Sequence, residues 1–323
     1  MSAFGNTVPH NVATQVDLWR MNLTNQRQIV KKTNVRIVLE VVSYGLVKMQ
    51  CCPLAVFLAQ HNMEIKMKID DRLRKEILAH ASECKPHECC GFVVSSHIDG
   101  QVFYLPSENI ADDTINYFEM DPDDFVKAEL MGEIVALVHS HPDSVMEKGL
   151  PYLSTADREC QIRTQLDFWL VVDNEIKQFR NIAPLIGRQF ENNKQDCRNI
   201  ILDSYMLAGI ELPDQSTYEF EWFEHSNLYE EGLIRCGFER LSQDESPQLG
   251  DVVLSCVGSN VANHAGIYLG DQLMLHHSQG RLSARVPYDG FWLQFTHSVW
   301  RFKEWQKLHF TAILNDLSMS RSN

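Results

Sequence analysis

The chain has 323 residues, 44% of them hydrophobic, enough for about two ordinary domain cores. A formal net charge of −14 excludes a nucleic-acid binder that works through an overall basic face. The nine cysteines lack paired zinc-finger spacing, no secretory leader opens the chain, and the most apolar stretch, residues 35–59, is broken by Glu40, Lys48 and Pro53; the expectation is a cytosolic product with reduced thiols and no integral membrane segment.

Residues 1–66 stand apart. Arg20, Arg27, Lys31, Lys32, Arg36, Lys48 and Lys66 outnumber Asp17, Glu40 and Glu64, so this stretch is basic within an acidic protein, and it has no clear hydrophobic period. It is expected to be a poorly ordered extension or a non-native start, with Met67 opening the first compact unit. From Asp70 to Ala81, Leu73, Ile77 and Leu78 recur at helical spacing and predict an amphipathic helix. Strands are expected at 91–95 and 102–105. Asp121-Pro122-Asp123 then opens a second helix to about Met131, with proline early and acids in the first turn.

The apolar, β-branched run Ile134-Val-Ala-Leu-Val138 predicts a buried strand that ends in His139 and His141, where Pro142 stops the ladder. Ser154 reads as an N-cap with Asp157 in the first turn of a third helix. Residues 167–172 and 175–179 predict a hairpin around Asp173-Asn174, and residues 181–187, with a proline and a glycine, form a linker.

Two histidines one residue apart on a strand share a face, because side chains alternate. Such a pair alone is more often a surface or core feature than a metal site. Joined by Asp157 it becomes the three-ligand set of a catalytic zinc, with the fourth position left for water. A zinc hydrolase also needs a base that is not a ligand, and Glu88, in Pro86-His-Glu-Cys-Cys-Gly91, is the candidate. Together, Glu88, His139-x-His141-Pro142 and Ser154-x-x-Asp157 resemble the JAMM motif of the MPN family of zinc metallopeptidases, over residues 67–180. The resemblance implies an α/β MPN domain in which His139, His141 and Asp157 hold zinc, Glu88 activates water and Ser154 steadies the oxyanion. The chain departs from the pattern in one respect: the segment between Pro142 and Ser154 is longer than the family usually shows.

The second half has its own constellation. Ile200, Ile201, Tyr205 and Ala208 mark a helix ended by Gly209, which places Cys197 near its N-terminus, where the dipole favours a thiolate. Gly250-Asp251-Val-Val-Leu-Ser predicts a strand. His264-Ala-Gly-Ile-Tyr-Leu-Gly270-Asp271 and Leu273-Met-Leu-His276 predict a hairpin, with His276 and His277 on opposite faces. A nucleophilic cysteine needs a histidine base and an orienting third group, and these residues supply all three. Taken singly, each is more often a satisfied core residue. The ordered set resembles the NlpC family of cysteine peptidases, which implies a papain-like α+β domain over residues 181–323 with Cys197 as nucleophile, His264 as base and His276 as orienter. Arg198 stands where such families usually have a small residue, and the tyrosine and glycines often found before the cysteine are missing.

An MPN domain followed by an NlpC domain resembles the tail tip assembly proteins of lambda-like siphophages, a likeness reinforced by Tyr152-Leu-Ser-Thr-Ala-Asp157, Asn263-His-Ala-Gly-Ile-Tyr268 and Thr296-His-Ser-Val-Trp-Arg301. It implies a protein of the infected host cytoplasm during assembly, with the virion tail tip as a second location. The implied partners are other tail tip proteins and peptidoglycan stem peptides. The substrate of the metal half is left open between a tail protein and a second kind of amide. The alternative class is a non-catalytic assembly scaffold or chaperone carrying relic peptidase sites.

Overall fold

The computed structural model describes residues 69–143, 148–213, 219 and 226–319. The basic segment 1–66 and the start at Met67 lie outside the described residues. The architecture is a mixed α/β unit followed by an α+β unit, each built on its own sheet.

The first unit opens with helix α1 (Asp71–Cys84), whose cap Asp70 accepts the Leu73 N–H at 2.7 Å. Strands β1 (Cys90–Ser96) and β2 (Val102–Ser107), helix α2 (Pro122–Met131) and strand β3 (Gly132–Ser140) follow. Helix α3 (Thr155–Thr164) crosses to strand β4 (Asp167–Val172), which turns into β5 (Glu175–Phe179). The sheet order is β2-β1-β3-β4-β5, antiparallel except for the β3–β4 pair. The hairpin turn needs two residues with positive φ, and Asp173 (49°) and Asn174 (63°) supply them.

Alternation along the central strands divides the core. Ala136, Val138, Trp169 and Val171 pack under α1 with Leu73 and Ile77. Leu137, Phe168 and Leu170 face the other way, toward Phe125 and Ala128 of α2. His139 continues the Leu137 face. The parallel β3–β4 pair matters most for the site. A chain leaving the C-terminal end of β3 must cross over before β4, so the helix that makes the crossover begins beside the end of β3, where His139 and His141 lie.

The second unit holds helix α4 (Cys197–Leu207), helix α5 (Leu228–Arg235) and strands β6 (Phe238–Arg240), β7 (Val252–Ser255), β8 (His264–Gly270), β9 (Leu273–His276) and β10 (Ala284–Pro287). The short helix α6 (Gly290–Gln294), strand β11 (Thr296–Phe302) and helix α7 (Phe310–Met319) complete it. Its sheet order is β10-β9-β8-β7-β11-β6, with α4 packed on β8.

The expected linker is a packed seam. Leu185 is fully buried, and one continuous apolar cluster runs from Phe168 and Phe179 through Leu185 to Ile200 and Ile313. Arg158 of α3 reaches Asp316 of α7 (Nε–Oδ1 2.8 Å) and donates to the Ile182 carbonyl at 2.9 Å. The second Asp316 oxygen accepts the Leu185 N–H at 2.7 Å. Arg188 is anchored on Asp203 at 2.5 Å and on the Pro184 carbonyl at 2.9 Å. Two buried arginines thus satisfy backbone carbonyls that a proline-containing strap cannot pair within itself.

Candidate functional sites

The first site lies at the end of β3. His139 pairs with Cys90 across the β1–β3 ladder, and the His141 N–H is held by the Val171 carbonyl at 3.0 Å. His139 is fully buried and stacks on Phe118 with ring centroids 4.7 Å apart. Ser154 and Asp157 are a capping box: Ser154 Oγ accepts the Asp157 N–H at 3.1 Å, and Asp157 Oδ2 accepts the Ser154 N–H at 2.8 Å. The helix-start reading therefore holds, and the same cap carries Asp157 to the end of β3. The bond uses a lone pair of Ser154 Oγ and leaves its O–H proton free to point elsewhere.

The same Asp157 Oδ2 lies 3.5 Å from His139 Nε2 and 3.2 Å from His141 Nε2. The donor atoms of all three residues fall within 4.8 Å of one another. His141 Nδ1 meets the Leu150 carbonyl at 2.7 Å; a carbonyl only accepts, so Nδ1 carries the hydrogen and Nε2 presents its lone pair. A bare imidazole nitrogen and a carboxylate oxygen at 3.2 Å repel unless a proton or cation lies between them. Neither nitrogen of His139 has a hydrogen-bond partner among the described residues, although both are buried. Donor set, tautomer and orphaned nitrogens all fit a divalent metal of zinc's preferences.

The electrostatics agree. Burial pushes Asp157 up, but the two imidazoles outweigh it and hold the carboxyl well below its usual range. Burial lowers His139, whereas at His141 the contacts with Asp157 and Leu150 overcome burial and raise it. Glu88 is buried at the entry to β1, its backbone fixed by Thr114 (2.7 Å) and Asn109 (3.0 Å). Desolvation, with Asp157 adding to it, lifts Glu88 to about 8, against a downward pull from His141. Glu88, His141, Ser154 and Asp157 line one cavity of about 360 Å³.

The long 142–153 segment does not displace Ser154. Asp143 Oδ1 accepts the Gly149 N–H at 2.9 Å, and Leu150 is tied back to His141, so the ends of the extra residues are pinched together. A Cβ on Gly149 would stand 2.0 Å from the His141 carbonyl oxygen; only glycine allows this approach.

The second site is buried: Cys197, His264 and His276 are each less than a tenth exposed. Asp196 caps α4 by accepting the Arg198 and Asn199 N–H groups at 2.9 and 3.0 Å. Cys197 is the first helical residue, and its Sγ meets the Tyr229 hydroxyl at 3.0 Å and the Ala265 N–H. His264 precedes Ala265 on β8, and its Nε2 lies 3.0 Å from His276 Nδ1. Among the described residues no hydrogen bond joins Cys197 directly to His264. His277 points away, toward the Arg281 carbonyl at 3.2 Å, as alternation predicts.

One expectation is corrected here. The helix dipole does not hold Cys197 as a thiolate. Burial, with the neighbouring Asp196 carboxyl, pushes the thiol up to about 11 despite the Tyr229 and Ala265 hydrogen bonds. Burial likewise takes His264 down to about 3 and His276 to about 4, so the resting triad is a thiol and two neutral imidazoles. Trp292 of α6 roofs it, stacked on His264 at 4.9 Å and edge-on to His276 at 4.5 Å. Neither Tyr229 nor Trp292 was singled out from sequence; a tyrosine was sought only before the cysteine.

Fold and sites define a chain of two peptidase-type families. The model for prokaryotic homologs of the JAB domain matches residues 70–182, and that of the NlpC/P60 family matches residues 187–301. The chain is 46% identical over 198 residues to tail tip assembly protein K of Escherichia phage lambda, covering 61% of this chain and 96% of that protein. It is 35% identical over 238 residues to tail tip assembly protein K of Escherichia phage N15, covering 71% and 93%. The chain belongs to the tail tip assembly protein K family. A solved NlpC/P60 family protein from Bacillus cereus aligns at 11% identity with a TM-score of 0.28, over 71% of this chain and 66% of that one, a slight likeness.

Proposed function

We propose that this protein serves phage tail tip assembly and carries two working peptidase sites, a zinc metallopeptidase in residues 67–180 and a cysteine endopeptidase for peptidoglycan stem peptides in residues 181–323. The two separate sheets support that division. Support for the first activity comes above all from the convergence of His139, His141 and Asp157 beside Glu88 on one cavity. These three residues would hold zinc, which when bound supplies a Lewis acid that polarises a carbonyl and acidifies water. Glu88, lifted by burial into the range of a proton shuttle, takes a proton at the carbonyl carbon's attacker and hands it to the leaving amine. Ser154 turns its free O–H toward the developing oxyanion.

In the second site, with His264 Nε2–H donating to His276 Nδ1, His264 Nδ1 keeps a lone pair for the Cys197 proton. Sγ attacks the peptide carbonyl, the C–N bond breaks, and His264 returns the proton to the departing amine. Water then resolves the acyl-enzyme. The protein would act in the infected cytoplasm with other tail tip proteins as partners. No described helix is long and apolar enough to cross a membrane.

The test is incubation of the full chain with defined muropeptides and with an unfolded polypeptide, with and without a chelator, read by mass spectrometry. Cys197→Ala should abolish muropeptide cleavage and a chelator should abolish the other activity; muropeptides left intact by the unaltered protein would overturn the cysteine-peptidase half. The Trp292 roof favours a second reading, an assembly scaffold with silent sites. Complementation of a defective phage by a Cys197→Ala, His139→Ala double variant decides between them. Full infectivity would establish the scaffold.

A further inference from the structure

The cavity beside the metal ligands is two-faced. Glu88, His141, Ser154 and Asp157 line it together. Part of its wall is apolar: Phe92 of β1, Leu137 of β3, Phe125 of α2 and Met120 are all buried core residues that line it, while Glu119, Lys148, Glu159 and Arg163 bring charge to the rest. Its rim carries Ile115 (41% exposed) and Tyr117 (55% exposed), side by side on the segment before α2. At about 360 Å³ the space lies within the range of pockets that enclose a ligand group rather than a bare backbone. Exposed apolar side chains beside a polar cluster mark a surface that is covered when the site is occupied.

From this we infer that the metal half recognises a polypeptide by a large apolar or aromatic side chain adjacent to the bond it cuts. The inference rests on the metallopeptidase reading above and deepens it. Peptidoglycan stem peptides offer methyl, carboxylate and amine side chains, none of which would fill the apolar part of this wall. The two halves of the chain therefore act on different polymers. Large apolar residues are mostly buried in folded proteins, so the segment presented is an unfolded or not yet assembled one.

Binding of amino-acid hydroxamates to the zinc-loaded full chain tests this without relying on turnover. The phenylalanine and leucine hydroxamates should bind at least about tenfold more tightly than those of alanine and glutamate, a difference of about 1.4 kcal/mol. Ala156 sits on an exposed position of α3 and lines the cavity, so Ala156→Trp should fill it and erase the preference while zinc content stays unchanged. Ile115→Asp, at the rim, should weaken only the apolar hydroxamates and serves if the first variant misfolds. Equal affinity for all four, or preference for glutamate, overturns the inference and leaves the metallopeptidase reading standing. A protein that takes up no zinc in the same preparation overturns both.

Discussion

The two sites handle buried polar groups in opposite ways. The metal cluster keeps charge where water is scarce: an ionised Asp157 lies between one imidazole lowered by burial and another raised by its contacts. Such an arrangement is stable only when a positive charge is shared among the groups. The cysteine triad itself keeps no charge, and the neighbouring Asp196 carboxyl is engaged in capping α4. Its thiol sits at about 11 and its imidazoles at about 3 and 4, and hydrogen bonds suffice to satisfy them. On the proposed function, the first site would be completed by a cation. On the same reading, the second would have to acquire a thiolate–imidazolium form when substrate arrives.

The largest effect should follow from removing a ligand. His139→Ala takes one donor from a cluster of three and should weaken zinc binding by more than roughly 100-fold, since loss of an outer-shell partner alone costs about 10–100-fold. Zinc content by elemental analysis reads this directly. Alkylation of Cys197 should be unchanged in the same variant, because the hydrogen bonds of Cys197 go to Tyr229 and Ala265 in the other unit. Stoichiometric zinc in the variant would remove the ligand assignment.

Next comes the seam. Asp316→Ala leaves the Arg158 guanidinium buried without its carboxylate and should destabilise the protein by about 3–5 kcal/mol in denaturant unfolding. Arg158→Met combined with Asp316→Leu should recover only part of that loss, because the Ile182 carbonyl and the Leu185 N–H lose their partners. Arg158 follows Asp157 directly, so the single variant should also weaken zinc binding, linking the first site to the last helix of the second unit. Unaltered zinc affinity in Asp316→Ala would make the sites independent.

What sequence reveals and what it hides divides along the same line. The convergence of His139, His141 and Asp157 is legible because its geometry is local. His139 and His141 share a strand face, Asp157 lies in a first helical turn, and the crossover from β3 to β4 leaves little choice about where that turn sits. The Asp173-Asn174 turn was legible because it needs positive φ. Tyr229 was not, since α5 delivers it to Cys197 from 32 residues away. The thiol's protonation state was misread because the helix dipole can be seen in sequence, whereas desolvation depends on everything packed around the group. Residues 181–187 read as a linker because a proline and a glycine look alike in a loose strap and in one pinned by Arg158 and Arg188.

A smaller effect separates the sites by pH. His264 and His276 have folded values far below the ordinary 6.5, so between those values the unfolded chain binds more protons. Their contribution to stability is present above pH 6.5 and is lost as pH falls toward the folded values. From pH 6.5 to 5 each loses about 2 kcal/mol. His276→Gln should therefore shrink the drop in stability between pH 7 and 5 by about that amount. Glu88 acts with the opposite sign in metal-free protein, since its raised value favours the folded state as pH falls from 8, and it is common to both proteins being compared. An identical drop in both would mean that His276 is charged or solvated in the folded protein.

The smallest effect tests a contact that no motif in the sequence announces. The Tyr229 hydroxyl stands 3.0 Å from Cys197 Sγ, and its hydrogen bond lowers the thiol against a larger rise from burial. A bond of this kind contributes about 1 kcal/mol, close to one pKa unit at most. Tyr229→Phe keeps the ring and its packing but removes the donor, so the thiol should move further up and Cys197 should be alkylated several-fold more slowly at pH 8, mapped by mass spectrometry because other cysteines are free. Stability should change by about 1 kcal/mol or less. A faster reaction would mean that the hydroxyl accepts the thiol proton instead of donating its own, and that Tyr229 restrains the nucleophile. The metal site should not register the change, since nothing in its cluster depends on a neutral hydrogen bond of this kind.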